Sequence, residues 1–126
     1  GKQVIDHSDA NYLNMPLVVL INGYSASASE LLAGGIQDYG VGLIVGETTF
    51  GKGVAQSFHM FDDGAALKMT QERYLTGGGR SVQDVGVVPD IEVVLDEEVK
   101  ANQLLFATAD DNQYMRALEE LRRMIR

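Results

Sequence analysis

The stretch LVVLINGYSASASELLAGGIQDYGVGLIV, residues 17–45, holds two apolar runs separated by a segment with helical spacing. Residues 17–21 are a continuous Leu, Val and Ile run, typical of a strand buried on both faces of a parallel sheet. In the middle segment Ser25 or Ser27 can cap a helix, Glu30 suits its first turn, and Gly40 can end it. Because residues 41–45 are again apolar, the stretch predicts a right-handed βαβ unit with parallel strands.

The residues after this unit predict antiparallel strands and then a helix. Residues 54–61 alternate in polarity, Asp62-Asp63-Gly64 is a hairpin turn pattern, and residues 65–70 and 71–76 are predicted as two further strands. Residues 91–95 are predicted as a short strand and residues 3–7 as a weak edge strand. Residues 96–126 are predicted as a helix with an apolar seam at Leu118, Leu121 and Ile125. The predicted class is α/β with an antiparallel annex and a C-terminal helix.

Composition excludes several classes of function. The 126 residues fit one domain, and the formal net charge of −8 disfavours nonspecific nucleic-acid binding. No apolar run approaches the roughly 18 residues of a membrane span. The absence of cysteine excludes disulfides, Cys-based zinc sites and a thiol nucleophile. The chain begins with Gly, so its ends do not indicate its compartment.

The stretch GETTFGKG, residues 46–53, resembles the phosphate-binding pattern G-x-x-x-x-G-K-[ST] but has Gly53 in the last position. A phosphate loop must open a helix, whereas the residues after Lys52 alternate like a strand. Nucleotide binding through Lys52 is therefore the weaker hypothesis. A plain glycine-rich turn with a solvated lysine is the simplest alternative.

A second polar segment, Ser25-Ala-Ser-Ala-Ser-Glu30, follows the first predicted strand and starts the predicted helix. On its own, it is typical of a helix cap. However, the loops after two parallel strands of a βαβ unit emerge at the same edge of the sheet, where such folds place their sites. A serine and Lys52 meeting there would be a known nucleophile and base pairing. His7 lies before the unit and His59 lies mid-strand, so neither is well placed to replace Lys52.

These residues, taken together, resemble the carboxyl-terminal processing (tail-specific) serine peptidases. The matching segments lie in one order between residues 16 and 93: PLVVLING (16–23), SASASE (25–30), QD (37–38), VGETTFGKG (45–53), Gln56, TGGGRS (76–81) and GVVPDIEV (86–93). The resemblance implies a crotonase-like α/β spiral core, incomplete in this chain, and an endopeptidase that cleaves proteins near their C-terminus without a metal or other cofactor.

The resemblance also implies roles for individual residues. It assigns the nucleophile to Ser27, the general base to Lys52, the residue that orients the lysine to Gln56, and one oxyanion donor to the backbone N–H of Ala28. Possible accessory residues are Asp38, Ser25 and Ser29. For Asp38 a plain role on the helix surface is an equal alternative. If Lys52 is the base, apolar neighbours such as Phe50 and Val54 should help to keep its amine neutral.

The resemblance implies that residues 1–126 are the C-terminal half of a peptidase domain. The upstream loop that supplies the second oxyanion N–H and the PDZ domain of the family are not matched, so we expect this piece alone to be weak or inactive. Tyr24 stands where small Gly is common. Expected partners are peptide substrates with free C-terminal tails, neither nucleotide nor nucleic acid, and a second copy, since an incomplete sheet exposes edges. The implied parent is bacterial and extracytoplasmic or membrane-anchored. The alternative function is a non-catalytic binding module of the same fold.

Overall fold

A computed structural model describes residues 14–126 of the chain. The edge strand predicted for residues 3–7, and His7 within it, lie outside the described residues. Among the described residues, no helix is long and apolar enough to span a membrane.

The predicted βαβ unit is confirmed. Strand β1 (Val18–Ile21) is followed by helix α1 (Ala28–Asp38) and strand β2 (Leu43–Gly46), and β1 and β2 are parallel neighbours with Val18 opposite Leu43. Gly40 follows the helix with φ of +62°, a conformation that favours glycine. A side chain at Gly46, where φ is +132°, would collide with the carbonyl of Ile21, so the strand pair can approach closely at this edge only because this residue is glycine.

A third strand, β5 (Ile91–Glu92), extends the sheet, whose order is β1-β2-β5 with all strands parallel. The central core is a cluster of buried apolar side chains from the sheet, α1 and the loop before β5: Ile21, Ala33, Ile44, Val82 and Val87. The prediction that the first strand is buried on both faces is wrong in part, since Leu20 is 40% exposed. Among the described residues β1 is an edge strand, and its outer side is incompletely covered.

The antiparallel annex consists of β3 (Val54–Met60) and β4 (Ala66–Arg73), which form a separate two-stranded sheet. The predicted hairpin turn at Gly64 is confirmed, but the prediction of two strands after it is wrong. One strand continues because a β-bulge at Ala55/Gln56 shifts the register without ending the pairing. Every residue of β4 is exposed.

The single long helix predicted for residues 96–126 is also wrong, because the segment is divided into three pieces. They are helix α2 (Glu97–Ala101), a 3₁₀ turn (Gln103–Leu105) and helix α3 (Asn112–Ile125). Asp111 starts α3, since its carboxylate accepts hydrogen bonds from the backbone N–H groups of Tyr114 and Ala107. The short side chain of Asp111 thus accepts a hydrogen bond from the first turn of a new helix, and this cap interrupts the helical pattern of the sequence.

Helix α3 packs against β1 and β2, but its buried residues differ from the predicted seam. The side chains of Gln113, Ala117 and Glu120 are buried, whereas Ile125 is 67% exposed. Glu120 is accommodated because Arg116 and Arg123 both pair with its carboxylate. Charged residues of α3 therefore contribute to the face that packs on the sheet, and not all of them lie on the side that faces solvent.

We predict opposite effects of alanine at two adjacent glycines of α1. A Cβ at Gly34 would lie 2.5 Å from Cγ2 of the buried Thr76, whereas a Cβ at Gly35 would meet no atom within 4 Å. Gly34→Ala should lower the free energy of unfolding by about 1–3 kcal/mol through overpacking. Gly35→Ala should raise it by about 0.5–1 kcal/mol because alanine favours the helix. Denaturant unfolding of both variants measures this, and equal stabilities would contradict the packing of α1 described above.

Candidate active site

Two loops at the same edge of the parallel sheet form the candidate site. The first, residues 22–27, follows β1 and leads into α1; the second, residues 47–53, follows β2 and leads into β3. The backbone N–H of Phe50 donates to the carbonyl of Ser25 at 3.0 Å, so the two loops are in direct contact. The structure therefore brings the predicted serine-rich and lysine-bearing loops together.

Ser27 lies at the turn from β1 into α1, where it is the cap residue of the helix. Its backbone has φ of 58° and ψ of −115°, outside the regions that non-glycine residues normally occupy. Such a conformation costs about 1–3 kcal/mol and occurs mainly at functional sites. Although the sequence lacks the final glycine of G-x-S-x-G, the strained strand-to-helix turn is the feature that exposes a serine nucleophile in that motif.

Glu30 connects the two loops. Its side chain is fully buried, and Oε2 accepts hydrogen bonds from the backbone N–H of Ser27 at 2.7 Å and of Lys52 at 2.8 Å. Oε1 accepts from the backbone N–H of Gly51 at 2.6 Å and from the hydroxyl of Thr49 at 2.5 Å. One buried carboxylate therefore holds the backbone of both residues predicted to do chemistry.

The surroundings of Glu30 keep it ionised. Burial raises the pKa of its carboxyl, but the hydrogen bonds from the Thr49 hydroxyl and from the N–H groups of Gly51, Lys52 and Ser27 outweigh burial and lower the pKa below its usual value of 4.5. Thr49 is fixed in turn, since its hydroxyl accepts from the backbone N–H of Val87 at 2.7 Å. The charged form of Glu30 is thus the one that joins the loops.

The contacts of Lys52 contradict the phosphate-loop alternative. The residues after it form β3 and not a helix, and the N–H groups of Gly51 and Lys52 are bonded to Glu30. In a phosphate loop, the corresponding backbone amides are directed at the phosphate. A carboxylate of the same chain fills that position.

The side chain of Lys52 is exposed among the described residues, and the apolar shield predicted around it is incomplete. Phe50 is 68% exposed and Val54 is half-buried. These two neighbours therefore leave the Lys52 side chain exposed in this part of the chain.

The other predicted catalytic groups lie near the two loops. Ala28 is the first residue of α1, and no described residue accepts a hydrogen bond from its backbone N–H. Gln56 lies in β3, where its amide Nε2 donates to the Thr70 hydroxyl at 3.2 Å. The Ser25 hydroxyl accepts from the N–H of Asn22 at 3.2 Å, and the Ser29 hydroxyl donates to the carbonyl of Ala26 at 2.8 Å. Both serine hydroxyls therefore stabilise the loop and the first turn of α1.

Asp38 is not brought to the site. It is the last residue of α1, ten residues beyond the start of the helix, which places it about 15 Å from that end. Its carboxylate accepts from the backbone N–H of Gly78 and pairs with Arg80. Hydrogen bonds from Thr76 and Gly78, together with Arg80, lower the pKa of this carboxyl. These contacts fit the plain role on the helix surface that was the alternative for Asp38.

A cleft of about 740 Å³ lies beside the first loop. Its lining includes Gly23 and Tyr24 on one side and Leu95, Lys100 and Phe106 on the other, and neither Ser27 nor Lys52 is among its lining residues. Tyr24 is 95% exposed there, so it does not crowd the loop of Ser27. Within residues 14–126, no group of three or more acidic and histidine side chains could hold a metal ion.

The role of Glu30 as a link between loops was missed by the sequence analysis, which assigned it only to the first helical turn. A local indication was present, because Ser27-x-x-Glu30 has the spacing of a capping box, in which the glutamate accepts from the cap N–H. The bonds to residues 49–52 had no such indication, since they depend on the loops meeting in three dimensions.

We predict that Glu30→Gln lowers the free energy of unfolding by about 2–4 kcal/mol. An amide removes the charge and turns an NH₂ donor towards N–H groups that need an acceptor. Because the pKa of Glu30 is lower in the folded state, its contribution should be complete above about pH 4.5 and be lost as the pH falls through the folded-state pKa. The stability difference between the wild type and Glu30→Gln should therefore be constant above about pH 4.5 and shrink below it.

Denaturant unfolding at several pH values measures this difference, with Glu98→Gln as the matched control. Glu98 is an exposed residue of α2, so its variant should follow the wild type closely at every pH. A difference for Glu30→Gln that grows towards low pH would contradict the assigned protonation state.

The sequence and the fold both match known peptidases. Residues 2–93 match peptidase family S41. The carboxyl-terminal-processing protease of Picosynechococcus sp. is 43% identical over 106 residues, which cover 84% of this chain and 25% of the relative. The solved photosystem II D1 C-terminal processing protease superposes with a TM-score of 0.59 at 47% identity, over 63% of this chain and 20% of that one. A putative S41 protease of Bacteroides fragilis, at 18% identity, shares the fold with a TM-score of 0.65 over 86% of this chain and 28% of that one.

The chain spans a quarter or less of the length of the curated relatives it matches. The fold that it shares with S41 proteases is a mixed α/β arrangement of a parallel sheet with an antiparallel strand pair. Since residues 2–93 are well over half of the chain, the chain belongs to peptidase family S41, the family of C-terminal processing serine proteases.

Proposed function

We propose that this chain is part of a serine endopeptidase that cleaves protein substrates near their C-terminus, with Ser27 as nucleophile and Lys52 as general base. The names of the relatives supply the substrate class, since they are described as carboxyl-terminal-processing proteases. On this proposal, residues 1–126 are the C-terminal half of a catalytic domain with a crotonase-like βαβ spiral.

One observation carries the proposal: a single carboxylate oxygen of Glu30 accepts from the backbone N–H groups of both Ser27 and Lys52. The two nitrogens are therefore no farther apart than the sum of two hydrogen-bond lengths. A strained serine and a lysine held together at the carboxyl edge of a parallel sheet fit a Ser-Lys dyad. A plain glycine-rich turn with a solvated lysine requires neither feature.

In the proposed reaction the Ser27 hydroxyl attacks the carbonyl carbon of the scissile peptide bond while Lys52 Nζ takes the hydroxyl proton. Lys52 then gives that proton to the leaving amine, which departs and leaves an acyl-enzyme. Water then attacks the ester carbonyl while Lys52 takes one of its protons. Lys52 gives that proton to the Ser27 oxygen as the bond between this oxygen and the acyl carbon breaks, which releases the product acid and regenerates the Ser27 hydroxyl. Each step transfers one proton through the same amine, so no metal is needed.

Two further groups support this chemistry. The N–H of Ala28 is available at the start of α1, where it can bind the oxyanion. Gln56 uses its amide nitrogen on Thr70, which leaves its carbonyl oxygen as an acceptor that can orient the Lys52 amine. Ser25 and Ser29 are helpers that stabilise the loop, and Asp38 supports the far end of α1.

The base requires a desolvated environment that the described residues do not supply. A free lysine has a pKa near 10.4, and neutrality at pH 7 requires burial or positive neighbours. We expect the remaining length of a full peptidase to cover Lys52 and Phe50 and to supply the second oxyanion donor. The isolated chain should therefore be weak or inactive.

We predict that Ser27→Ala and Lys52→Arg each reduce peptide cleavage by about a thousandfold or more, in a polypeptide of the relatives' length that carries this sequence. Arginine keeps the charge of Lys52 but cannot act as a base near neutral pH. Cleavage of a peptide with a free C-terminus measures both variants. Labelling by a fluorophosphonate tests the nucleophile separately, since Ser27→Ala should abolish the label.

Lys68→Arg is the matched control, because Lys68 is an exposed lysine of β4, outside both loops of the candidate site. It should retain cleavage within a few-fold of the wild type. Full activity of Lys52→Arg would reject the dyad. An unreactive Ser27 in the complete polypeptide would favour a non-catalytic binding module.

We also predict that the isolated chain self-associates. β1 is an edge of the three-stranded sheet, and β4 presents a second unpaired edge among the described residues. Such edges favour pairing with another chain. Light scattering should give a mass above 13.7 kDa that rises with concentration, whereas a constant monomer mass would contradict the prediction.

A further inference from the structure

The segment of residues 83–86, on the loop before β5, contacts the backbone on both sides of Lys52. Gln83 Oε1 accepts from the N–H of Gly53 at 2.8 Å, and the N–H of Asp84 donates to the carbonyl of Gly51 at 2.9 Å. Together with the bond from the Lys52 N–H to Glu30, these contacts fix three consecutive residues around the proposed base.

Asp84 sets the orientation of the Gln83 amide. Gln83 Nε2 donates to Asp84 Oδ1 at 2.7 Å, and an ionised carboxylate can only accept. The amide nitrogen must therefore face Asp84, which turns the amide oxygen towards Gly53. Asp84 itself has φ of 63°, so its own backbone is held in an uncommon conformation beside this contact.

The same segment explains why glycine stands on both sides of Lys52. A Cβ at Gly53 would lie 2.7 Å from the backbone nitrogen of Gln83. Gly51 has φ of +90°, and a Cβ there would lie 3.2 Å from the nitrogens of Val85 and Gly86. Residues 51–53 thus lie directly against residues 83–86, so that segment limits where the backbone of Lys52 can lie.

We propose that Gln83 is a positioning residue for Lys52: its amide oxygen holds Gly53, and Asp84 keeps that oxygen in place. The proposal rests on the proposed function, since it concerns the placement of the base. The proposal names two atoms of one side chain. The Gln83 amide oxygen accepts from Gly53 and its nitrogen donates to Asp84, so this amide connects Asp84 to the Lys52 loop.

The test uses a polypeptide of the relatives' length that carries this sequence and the variant Gln83→Leu. Leucine has a similar size but offers no acceptor to Gly53. Displacing a base by about 1 Å can cost about a hundredfold in rate, so we expect kcat for peptide cleavage to fall by about tenfold or more with KM within about twofold. The pH of half-maximal cleavage should also move by about half a unit or more, because the surroundings of the lysine amine change.

A double variant, Gln83→Glu with Asp84→Asn, supplies the rescue. In that pair one carboxylate oxygen of the new glutamate can accept from Gly53 and the other from the new asparagine amide. The connectivity and the number of negative charges are both kept. We expect it to recover most of kcat and the wild-type pH profile, while Gln71→Leu, at an exposed glutamine of β4, leaves both unchanged.

The outcomes separate this proposal from the dyad itself. Lys52→Arg measured in parallel decides the dyad. If Lys52→Arg is inactive and Gln83→Leu keeps the wild-type kcat and pH profile, the dyad stands and the role of Gln83 is rejected. Two other outcomes would likewise reject positioning in favour of a purely structural role. One is that Gln83→Leu lowers the labelled fraction of Ser27 but leaves the pH profile unchanged. The other is that the double variant is no more active than Gln83→Leu.

Discussion

The buried carboxylate of Glu30 is the interaction on which the site depends. It accepts four hydrogen bonds, one from the helix cap at Ser27 and three from residues 49, 51 and 52 of the other loop. An unpaired buried charge would cost several kcal/mol, so the carboxylate is stable only if both loops are in place. The loops in turn have no other acceptor for these donors among the described residues. Each loop therefore stabilises the other through one side chain, which couples the folding of the βαβ unit to the assembly of the site.

This arrangement also explains why the sequence GETTFGKG resembles a phosphate loop. Both structures need glycines and free backbone amides that converge on an anion. Here the anion is a side chain of the preceding helix, and the amides of Gly51 and Lys52 donate to it. The lysine side chain is consequently not required to neutralise a ligand, and β3 can begin at Val54 where a phosphate loop would continue as a helix.

Much of the fold was predictable from local patterns, and the errors share a physical cause. The apolar run before Asn22, the helical spacing up to Gly40 and the turn at Gly64 predicted the parallel unit and the hairpin, because each pattern is complete within a few residues. The single long C-terminal helix was wrong because the cap at Asp111 interrupts an otherwise helical pattern. In the site, the two loops predicted a serine beside Lys52, and the family resemblance selected Ser27. The bonds of Glu30 to residues 49–52 and of Gln83 to Gly53 join segments about twenty and thirty residues apart. No periodicity in the sequence encodes such pairs.

In this site, the groups that hold Ser27 and Lys52 in place differ from the side-chain groups that are proposed to react. Ser27 and Lys52 are held by their backbone amides, and Lys52 is further fixed by the two glycines beside it and the segment that those glycines contact. None of these contacts uses the serine hydroxyl or the lysine amine, the two groups that the proposed reaction requires. The backbone strain at Ser27 fits this division, because a conformation that costs folding energy persists only where surrounding bonds enforce it. Lys52 is exposed among the described residues, whose contacts fix its backbone and not its amine. If Lys52 is the base, as proposed, the low-dielectric environment of its amine must come from surfaces that cover this edge of the sheet.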